Sequence, residues 1–251
     1  MTNIGRALKD AFVSCLDIRI LFLLLVPLLL TLLVGVVLFA TLGTVWVASL
    51  SESMQHSTLA TQVFGAWSSS DVFGIATSVI AVALVVLLFL PIAYLVTVVI
   101  VSIVLMPILL RIVGLKYYPT LQKKYGGSAL GNIWNTLKAG GVYSVLLIVT
   151  MPLWLIPGGA ILVPILLGAY LNKRVFVYDV LEEYASLEER HLIESQQQRS
   201  LYGLGAILGS FNYVPLTFVV MPVFAGLAYA HFCLNALKEL RDNGSTEEVA
   251  S

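Results

Sequence analysis

Basic residues divide the chain into blocks that favour either water or lipid. All 14 lysines and arginines fall within four windows, 6–19, 111–138, 173–199 and 238–241. The three intervals between these windows contain no basic residue, and most of their positions are apolar. Long apolar intervals predict membrane-embedded segments, and basic flanks predict the cytoplasmic side. Both termini and the two middle windows are therefore predicted to be cytoplasmic.

The first interval predicts two long transmembrane helices, residues 20–42 and 72–110. The loop between them, 43–71, holds acidic but no basic residues, which predicts that it lies outside. The second run has 39 uncharged residues. As a helix it would measure about 58 Å, against a hydrocarbon core of about 30 Å. The run must tilt strongly, kink at Pro91 or extend beyond the bilayer near Pro107, and we expect one long helix that bends at a proline.

The two later intervals predict helical hairpins, because each begins and ends at charge of the cytoplasmic type. Residues 139–172 carry Pro157–Gly158–Gly159 near their centre, and residues 200–237 carry the turn residues of Gly209–Pro215. The first of these intervals has only 34 residues. Its two arms are therefore shorter than the roughly 20 residues that a span needs. We predict that both hairpins enter the bilayer only part-way.

Four further segments are predicted to lie outside the bilayer. Residues 1–17 form an amphipathic surface helix with an apolar side chain at every fourth position: Ile4, Leu8, Phe12 and Leu16. Residues 114–138 form interfacial helices, residues 179–199 form a charged helix that connects the hairpins or docks a partner, and residues 242–251 form a disordered tail. The predicted fold class is an all-α integral membrane protein with a single membrane domain, 1–241. It consists of two long transmembrane helices, two partly inserted helical hairpins and interfacial amphipathic helices.

Composition supports a membrane protein and disfavours several classes of function. Of the 251 residues, 59% are hydrophobic and 11% are charged, where ordinary globular chains carry roughly a quarter charged residues. The formal net charge is zero, so charge predicts no nucleic-acid partner. The two cysteines and three histidines fit no metal or redox spacing, and no hydrolase, nucleotide-binding or metalloprotease motif is present. We expect no cofactor, no metal ion and no enzymatic activity.

Candidate ligand-binding residues lie at the predicted hairpin tips. A helix that begins inside the membrane offers free N–H groups to an anion, which singles out Gly158, Gly159, Asn212 and Thr217. Plain turn chemistry is the simpler explanation for the same residues. The last interval contains the ionisable side chain of His231, which we interpret as an anchor at the membrane surface rather than as a catalytic base.

Arg19 is a second candidate, because it lies where the surface helix meets the first long helix. Its guanidinium can hold an oxyanion, pair with the carboxylate of Asp17, or contact a lipid phosphate. The sequence leaves these three alternatives open.

Gly205 and Gly209 form a Gly-xxx-Gly pair on the first arm of the second hairpin. Small residues at this spacing let two helix backbones approach closely in lipid. We predict that these glycines contact a second copy of the chain in a homo-oligomer, a two-fold dimer or a ring of dimers. The alternative is that they pack only against helices of their own chain.

Four stretches, in this order along the chain, resemble one family of membrane proteins: LDIRILFLLLVPLLL (16–30), LMPILL (105–110), LIPGGAILVPIL (155–166) and GAILGSFNYVPLTFVVMPVFAGLAY (205–229). They are similar to the CysZ-type sulfate permeases and the wider etoposide-induced-protein domain family. The resemblance implies an oligomeric, channel-like permease with half-penetrating hairpins that takes up sulfate.

The resemblance also implies a binding stretch before the first span. In sulfate-handling members this stretch is of a Gly-apolar-Arg-Arg type, and here it reads Asp17–Ile18–Arg19–Ile20. Ile18 and Arg19 match, whereas Asp17 replaces the glycine and Ile20 replaces the second arginine. Ile18 and Arg19 are thus the candidate substrate-binding residues that the family implies.

The leading functional hypothesis is an inner-membrane permease or channel-like protein of bacterial type for a small solute, with sulfate or a related oxyanion as the candidate. The alternative is a non-transporting membrane scaffold or lipid-interacting protein of the same fold. The expected partners are membrane lipid, a small anion and further copies of the chain.

Overall fold

The computed structural model describes residues 4–23, 25–57, 62, 71–211 and 217–250. In these ranges all regular structure is helical, which confirms the predicted all-α class. We number the α-helices in chain order: α1 Ile4–Cys15, α2 Ile18–Leu23, α3 Leu25–Leu38, α4 Thr44–Gln55, α5 Asp71–Ile100, α6 Met106–Tyr117, α7 Ala129–Thr150, α8 Gly159–Tyr184, α9 Leu187–Gln196, α10 Gln198–Phe211 and α11 Thr217–Ala250. Three short irregular helices interrupt this series: π-helical turns at Phe39–Gly43 and Val101–Leu105, and a 3-10 helix at Met151–Leu155.

Several of these helices are long and apolar enough to cross a membrane. Within the described ranges there are five such segments: Gly35–Gln55, Leu95–Tyr117, Leu130–Trp154, Gly159–Tyr184 and Val220–Asn243. Their number and hydropathy point to a multi-pass membrane protein. The predicted arrangement of two long helices plus two partly inserted hairpins is a finer statement, and it stays a prediction.

Residues 29–96 form one compact unit, an antiparallel pair made by α3–α4 and the first part of α5. The Gln55 side-chain amide donates a hydrogen bond to the Thr77 hydroxyl at 3.1 Å, and the Phe89 ring meets the rings of Phe39 and Trp46 edge-on. Only 6% of the Gly35–Gln55 segment is buried inside the protein. The pair therefore presents apolar side chains on most of its surface, as a lipid-embedded helix pair does.

The helical structure of this unit reaches further than the predicted helix of residues 20–42. It continues through the π-helical turn into α4 and ends at Gln55. No proline or glycine interrupts residues 44–55, so the segment predicted as a loop can propagate the helix.

The second unit comprises residues 1–28 and 97–251 and is a helical bundle around α8. Helices α7, α10 and α11 all contact α8, and α1 contacts α11. The largest buried side chains of this core include Phe176 on α8 and Tyr229 and Phe232 on α11. In contrast to the exposed pair, 83% of the Val220–Asn243 segment is buried.

The second long run contains an irregular turn beside Pro107. Helix α5 continues past Pro91 without interruption, and the π-helical turn Val101–Leu105 follows it, with the Met106 N–H donating to the Val101 carbonyl. Proline has no N–H and its ring crowds the preceding turn, which a π-helical turn relieves. The helix is therefore perturbed beside Pro107, whereas the kink was expected at Pro91.

The first hairpin turns at Ile156–Gly158, within the region where the sequence predicts a reversal. Its arms α7 and α8 have 22 and 26 residues, longer than the charge-free interval suggested. The arms are longer because Lys138 and Lys173 lie inside the helices rather than at their ends. Both arms are long enough to cross a bilayer, so arm length gives no support to partial insertion.

The segment 179–199, predicted to be one charged helix, divides among three helices. Helix α8 ends at Tyr184, and Ser186 caps α9 in a reciprocal capping box with Glu189. The Ser186 hydroxyl accepts from the Glu189 N–H at 3.2 Å, and the Glu189 carboxylate accepts from the Ser186 N–H at 2.8 Å. The Ser-x-x-Glu spacing produces this helix start.

The second hairpin comprises α10 and α11. Residues 212–216, within the predicted reversal, lie outside the described residues. Helix α11 continues to Ala250 through the segment predicted to be a disordered tail.

Helix α1 has two different faces. Ala7, Ala11 and Ser14 are buried, and α1 packs on α11, whereas Phe12 and Leu16 of the predicted apolar stripe are 61% and 70% exposed. The small side chains allow close packing on the bundle, which leaves the apolar stripe free to contact a membrane surface.

Candidate functional site

A basic pocket forms between the start of α2 and the end of α6. It is lined by Asp17 and Arg19 from the first region and by Arg111, Ile112, Leu115 and Lys116 from the second. Residues 111 and 115, and likewise 112 and 116, are one helical turn apart, so they present one face of α6. The pocket is open and has a volume of about 720 Å3.

Asp17 is the acidic residue of this pocket, and its carboxylate is already engaged. One oxygen accepts the backbone N–H of Arg19 at 3.1 Å, and the other accepts from the Lys116 ammonium at 2.9 Å. The hydrogen bonds from Lys116 and from the Arg19 N–H lower the pKa of Asp17. The Asp17 carboxylate thus pairs with Lys116 rather than with the Arg19 side chain, a pairing that was one of the three alternatives left open for Arg19.

The guanidinium groups of Arg19 and Arg111 keep their donors available. Both side chains are exposed, and neither guanidinium makes a hydrogen bond or ion pair within the part of the chain that the structure describes. Three cations and one carboxylate give the pocket a net charge of +2. Such a pocket attracts an inorganic dianion or a lipid phosphate, and planar guanidinium groups suit the oxygens of either.

The other candidate residues lie elsewhere. Ile18 begins α2 but is exposed and does not line the pocket. Gly158 has φ +86°, a conformation that favours glycine, and a Cβ on Gly159 would lie 1.8 Å from the Leu153 carbonyl oxygen. Turn geometry thus accounts for both glycines. Thr217 begins α11, whereas Asn212 lies outside the described residues.

Gly205 and Gly209, predicted above to contact a second copy of the chain, pack against α8 of their own chain. A Cβ on Gly205 would lie 2.9 Å from the Ala169 Cα, and one on Gly209 would lie 3.2 Å from the Ile165 carbonyl oxygen. The helix that approaches this small-residue face is therefore α8, the intrachain alternative that the sequence left open.

His231 lies inside the bundle rather than at its surface. Its Nε2 shares a hydrogen bond of 2.8 Å with the Ser14 hydroxyl, and its Nδ1 shares one of 3.2 Å with the Tyr118 hydroxyl. The residue is buried and links α1, α11 and the segment after α6. This network gives His231 a role in packing.

Asp179 is the residue that sequence reasoning missed. The structure places it within α8 and buries it to 4% exposure, although the charge pattern assigned it to a surface helix. A signal was present in the sequence, because Asp179 is the lone charge in the otherwise apolar stretch VFVYDVL (175–181). It lines a second pocket of about 350 Å3, together with Ser128, Asn132, Glu182 and Glu183 among others.

The long apolar helices and the two pockets together define a multi-pass membrane protein with ionic sites. The model of the family described as Sulfate transporter CysZ/Etoposide-induced protein 2.4 matches residues 7–248. The chain belongs to this family, as the four sequence stretches indicated. No curated protein and no solved structure matches the chain.

Proposed function

We propose that this protein is an inner-membrane permease or channel-like protein that conducts a small oxyanion, with sulfate as the leading candidate. The observation that carries the proposal is the basic pocket, in which the guanidinium groups of Arg19 and Arg111 have no partner among the described residues and lie beside the Asp17–Lys116 ion pair. Membership of a transporter-type family supports the same conclusion. The solute passes without chemical change, so no catalytic residue is needed.

The pocket acts as a capture site at the membrane entrance. Arg19 and Arg111 bind the oxyanion through charge-assisted hydrogen bonds. Lys116 adds positive potential, and its ammonium group is held in place by Asp17. The positive-inside rule places the windows of both arginines on the cytoplasmic side, which makes this the inner mouth of the pathway. Partial insertion of the hairpins and assembly into a homo-oligomer are further parts of the proposal, because a membrane pathway needs backbone turns covered by protein.

Uptake of labelled sulfate into vesicles reconstituted with the full-length protein tests the proposal. The wild type should exceed empty vesicles, and the double variant Arg19→Ala with Arg111→Ala should lose most of this flux. Arg199→Ala is the matched control, since Arg199 is an exposed arginine that does not line the pocket. Flux equal to that of empty vesicles for sulfate and for related oxyanions would refute the proposal.

The alternative, a non-transporting protein that binds lipid, is favoured by the open form of the same pocket and by the exposed side chains of Phe12 on α1 and of Leu16 just after it. It predicts no oxyanion flux. Binding to vesicles that contain anionic lipid should then fall in the Arg19→Ala and Arg111→Ala double variant and not in Arg199→Ala.

A further inference from the structure

A second ionic site lies around Asp179, apart from the basic pocket. We propose that Asp179, with Ser102, Asn132 and Thr136, binds a monovalent alkali cation such as Na+. This inference goes beyond the proposed function, because the basic pocket recognises anions and shares no residue with this site.

The Asp179 carboxylate is buried without an ion-pair partner in the described part of the chain. Neither of its oxygens has a hydrogen-bond partner in the described part of the chain. The charged group that acts on it is Glu182, which has the same sign. An ionised carboxylate in such a place is costly unless a cation or several donors neutralise it.

Basic side chains on neighbouring turns are directed to other groups. The Lys173 ammonium lies 4.8 Å from the centre of the Tyr202 ring, and the Arg190 guanidinium lies 4.8 Å from the centre of the Tyr178 ring. Both cations contact aromatic rings, so neither forms an ion pair with Asp179 in the described part of the chain. A bound cation would complete the site.

Three neutral side chains that carry oxygen form a hydrogen-bonded chain beside Asp179. The Ser102 and Thr136 hydroxyls lie 3.3 Å apart, and the Thr136 hydroxyl donates to the Asn132 amide oxygen at 3.2 Å. The side chains of Ser102 and Asn132 lie near the Asp179 carboxylate, although neither meets the geometry of a hydrogen bond to it. A donor set made only of oxygen selects a hard cation, and a single carboxylate balances a single positive charge.

The helix geometry explains why these oxygens meet here. Asn132 and Thr136 are one turn apart on α7, Asp179 lies on α8, and Ser102 belongs to the π-helical turn before Pro107. Because Pro107 has no N–H, the helix supplies no main-chain donor from position 107 to the carbonyls of Ser102 or Ile103. A carbonyl in this turn can act as a further ligand, and π-helical turns are frequent at functional sites.

The second pocket gives a cation access to Asp179. Glu182 and Glu183 line it together with Asn132 and Asp179. Glu183 forms an ion pair with Lys123. Glu182 adds a second carboxyl group to the pocket lining, which favours cations over anions at this point.

Thermal unfolding of the purified full-length protein in detergent tests the site. The midpoint is measured as NaCl or KCl replaces N-methylglucamine chloride at constant ionic strength. Binding of Na+ to the folded state should raise the wild-type midpoint in a saturable way. Glu188→Gln, which removes an exposed carboxylate on α9, should keep the same dependence.

Two variants probe the ligands. Asp179→Asn should abolish the dependence on alkali cations without lowering the midpoint in N-methylglucamine, since the amide removes an unpaired buried charge. Ser102→Ala should keep the fold and weaken the apparent affinity for Na+ by roughly tenfold.

A wild-type midpoint that is the same in Na+, K+ and N-methylglucamine would overturn the proposal. So would an unchanged cation dependence in Asp179→Asn or in Ser102→Ala. A midpoint that varies only with pH, and does so only while Asp179 is present, would identify a proton as the occupant and would also overturn it. The measurement needs no transport, so its result is independent of the sulfate flux.

Discussion

The guanidinium of Arg241, near the end of the buried part of α11, donates two parallel hydrogen bonds to the carboxylate of Glu189 at the start of α9. Nε donates to one carboxylate oxygen and Nη2 to the other, each at 3.0 Å. The same guanidinium donates to the carbonyls of Gln122 and Tyr184, both at 2.8 Å. One side chain therefore joins α11, α9, the end of α8 and the segment between α6 and α7.

Arg241→Lys should destabilise the protein almost as much as Arg241→Ala. A lysine keeps the charge but cannot make the planar fork or reach both carbonyls. Because both partners are largely buried, the loss should be about 2 kcal/mol in the free energy of unfolding. Chemical unfolding in detergent measures it, with Lys238→Ala, an exposed cation on the same helix, as the control. Full stability of Arg241→Lys would show that charge alone suffices.

Glu189 should make stability depend on pH in the acid range. Burial opposes its ionisation, but the hydrogen bonds from Arg241, Lys124 and the Ser186 N–H prevail and lower its pKa from 4.5 to about 2. A depressed pKa contributes stability above the unfolded value, and this contribution is lost as the pH falls from about 4.5 to about 2. Glu189→Gln should be less stable at neutral pH and should lose less stability on acidification. Parallel curves for both proteins would contradict the assignment.

Alanine substitutions at three glycines should separate packing within the chain from packing between chains. At Gly205 a Cβ would lie 2.7 Å from the Tyr229 hydroxyl and 2.9 Å from the Ala169 Cα, so Gly205→Ala should cost about 1–3 kcal/mol. Gly209→Ala should cost less, because its closest contact would be 3.2 Å, and Gly203→Ala should cost least, with a contact of 3.6 Å. The losses in the free energy of unfolding, measured by chemical unfolding, should follow this order. Light scattering should find the same particle mass for Gly209→Ala and the wild type. A shift to monomer without loss of stability would instead support the predicted contact of these glycines with a second copy of the chain.

The sequence predicts those parts of the fold that depend on long stretches of uniformly apolar residues. An apolar block free of basic residues is embedded in a membrane almost regardless of its neighbours, so the membrane segments could be found. The reversal near Gly158 was likewise predictable, because a proline and two glycines favour a turn locally.

The features that the sequence did not predict depend on which helix meets which. A Gly-xxx-Gly pair predicts a close contact but does not identify the partner, and for Gly205 the partner is α8. Asp179 was predicted to lie on a solvent-exposed helix, because it begins the charged segment 179–199. Packing of α7 and the π-helical turn against α8 buries it. The basic pocket required knowing that Arg111 and Arg19, 92 positions apart in the sequence, share one opening.

Asp17→Asn should strengthen oxyanion capture if the basic pocket is the entrance. Asparagine can still accept the Arg19 N–H, so the start of α2 is kept, while the net charge of the pocket rises from +2 to +3. The apparent KM for sulfate in vesicle uptake should fall by about threefold at low salt, and the effect should shrink at high ionic strength. A higher KM at every salt concentration would mean that holding Lys116 matters more than the added charge.

The predicted topology places Ser57, just after α4, outside and α9 in the cytoplasm, while residues 44–55 and 173–184 belong to segments long enough to cross a membrane. In intact cells a membrane-impermeant maleimide should label Ser57→Cys, whereas Ser195→Cys, on the exposed side of α9, should react only after permeabilisation. Ser195 is a better probe than Ser186, whose hydroxyl caps the helix. The native thiols should add little background, because Cys233 is buried and burial raises the pKa of Cys15 to about 11, which leaves little reactive thiolate at neutral pH. Strong labelling of Ser195→Cys from outside sealed cells would overturn this topology, and with it the assignment of the basic pocket to the inner mouth.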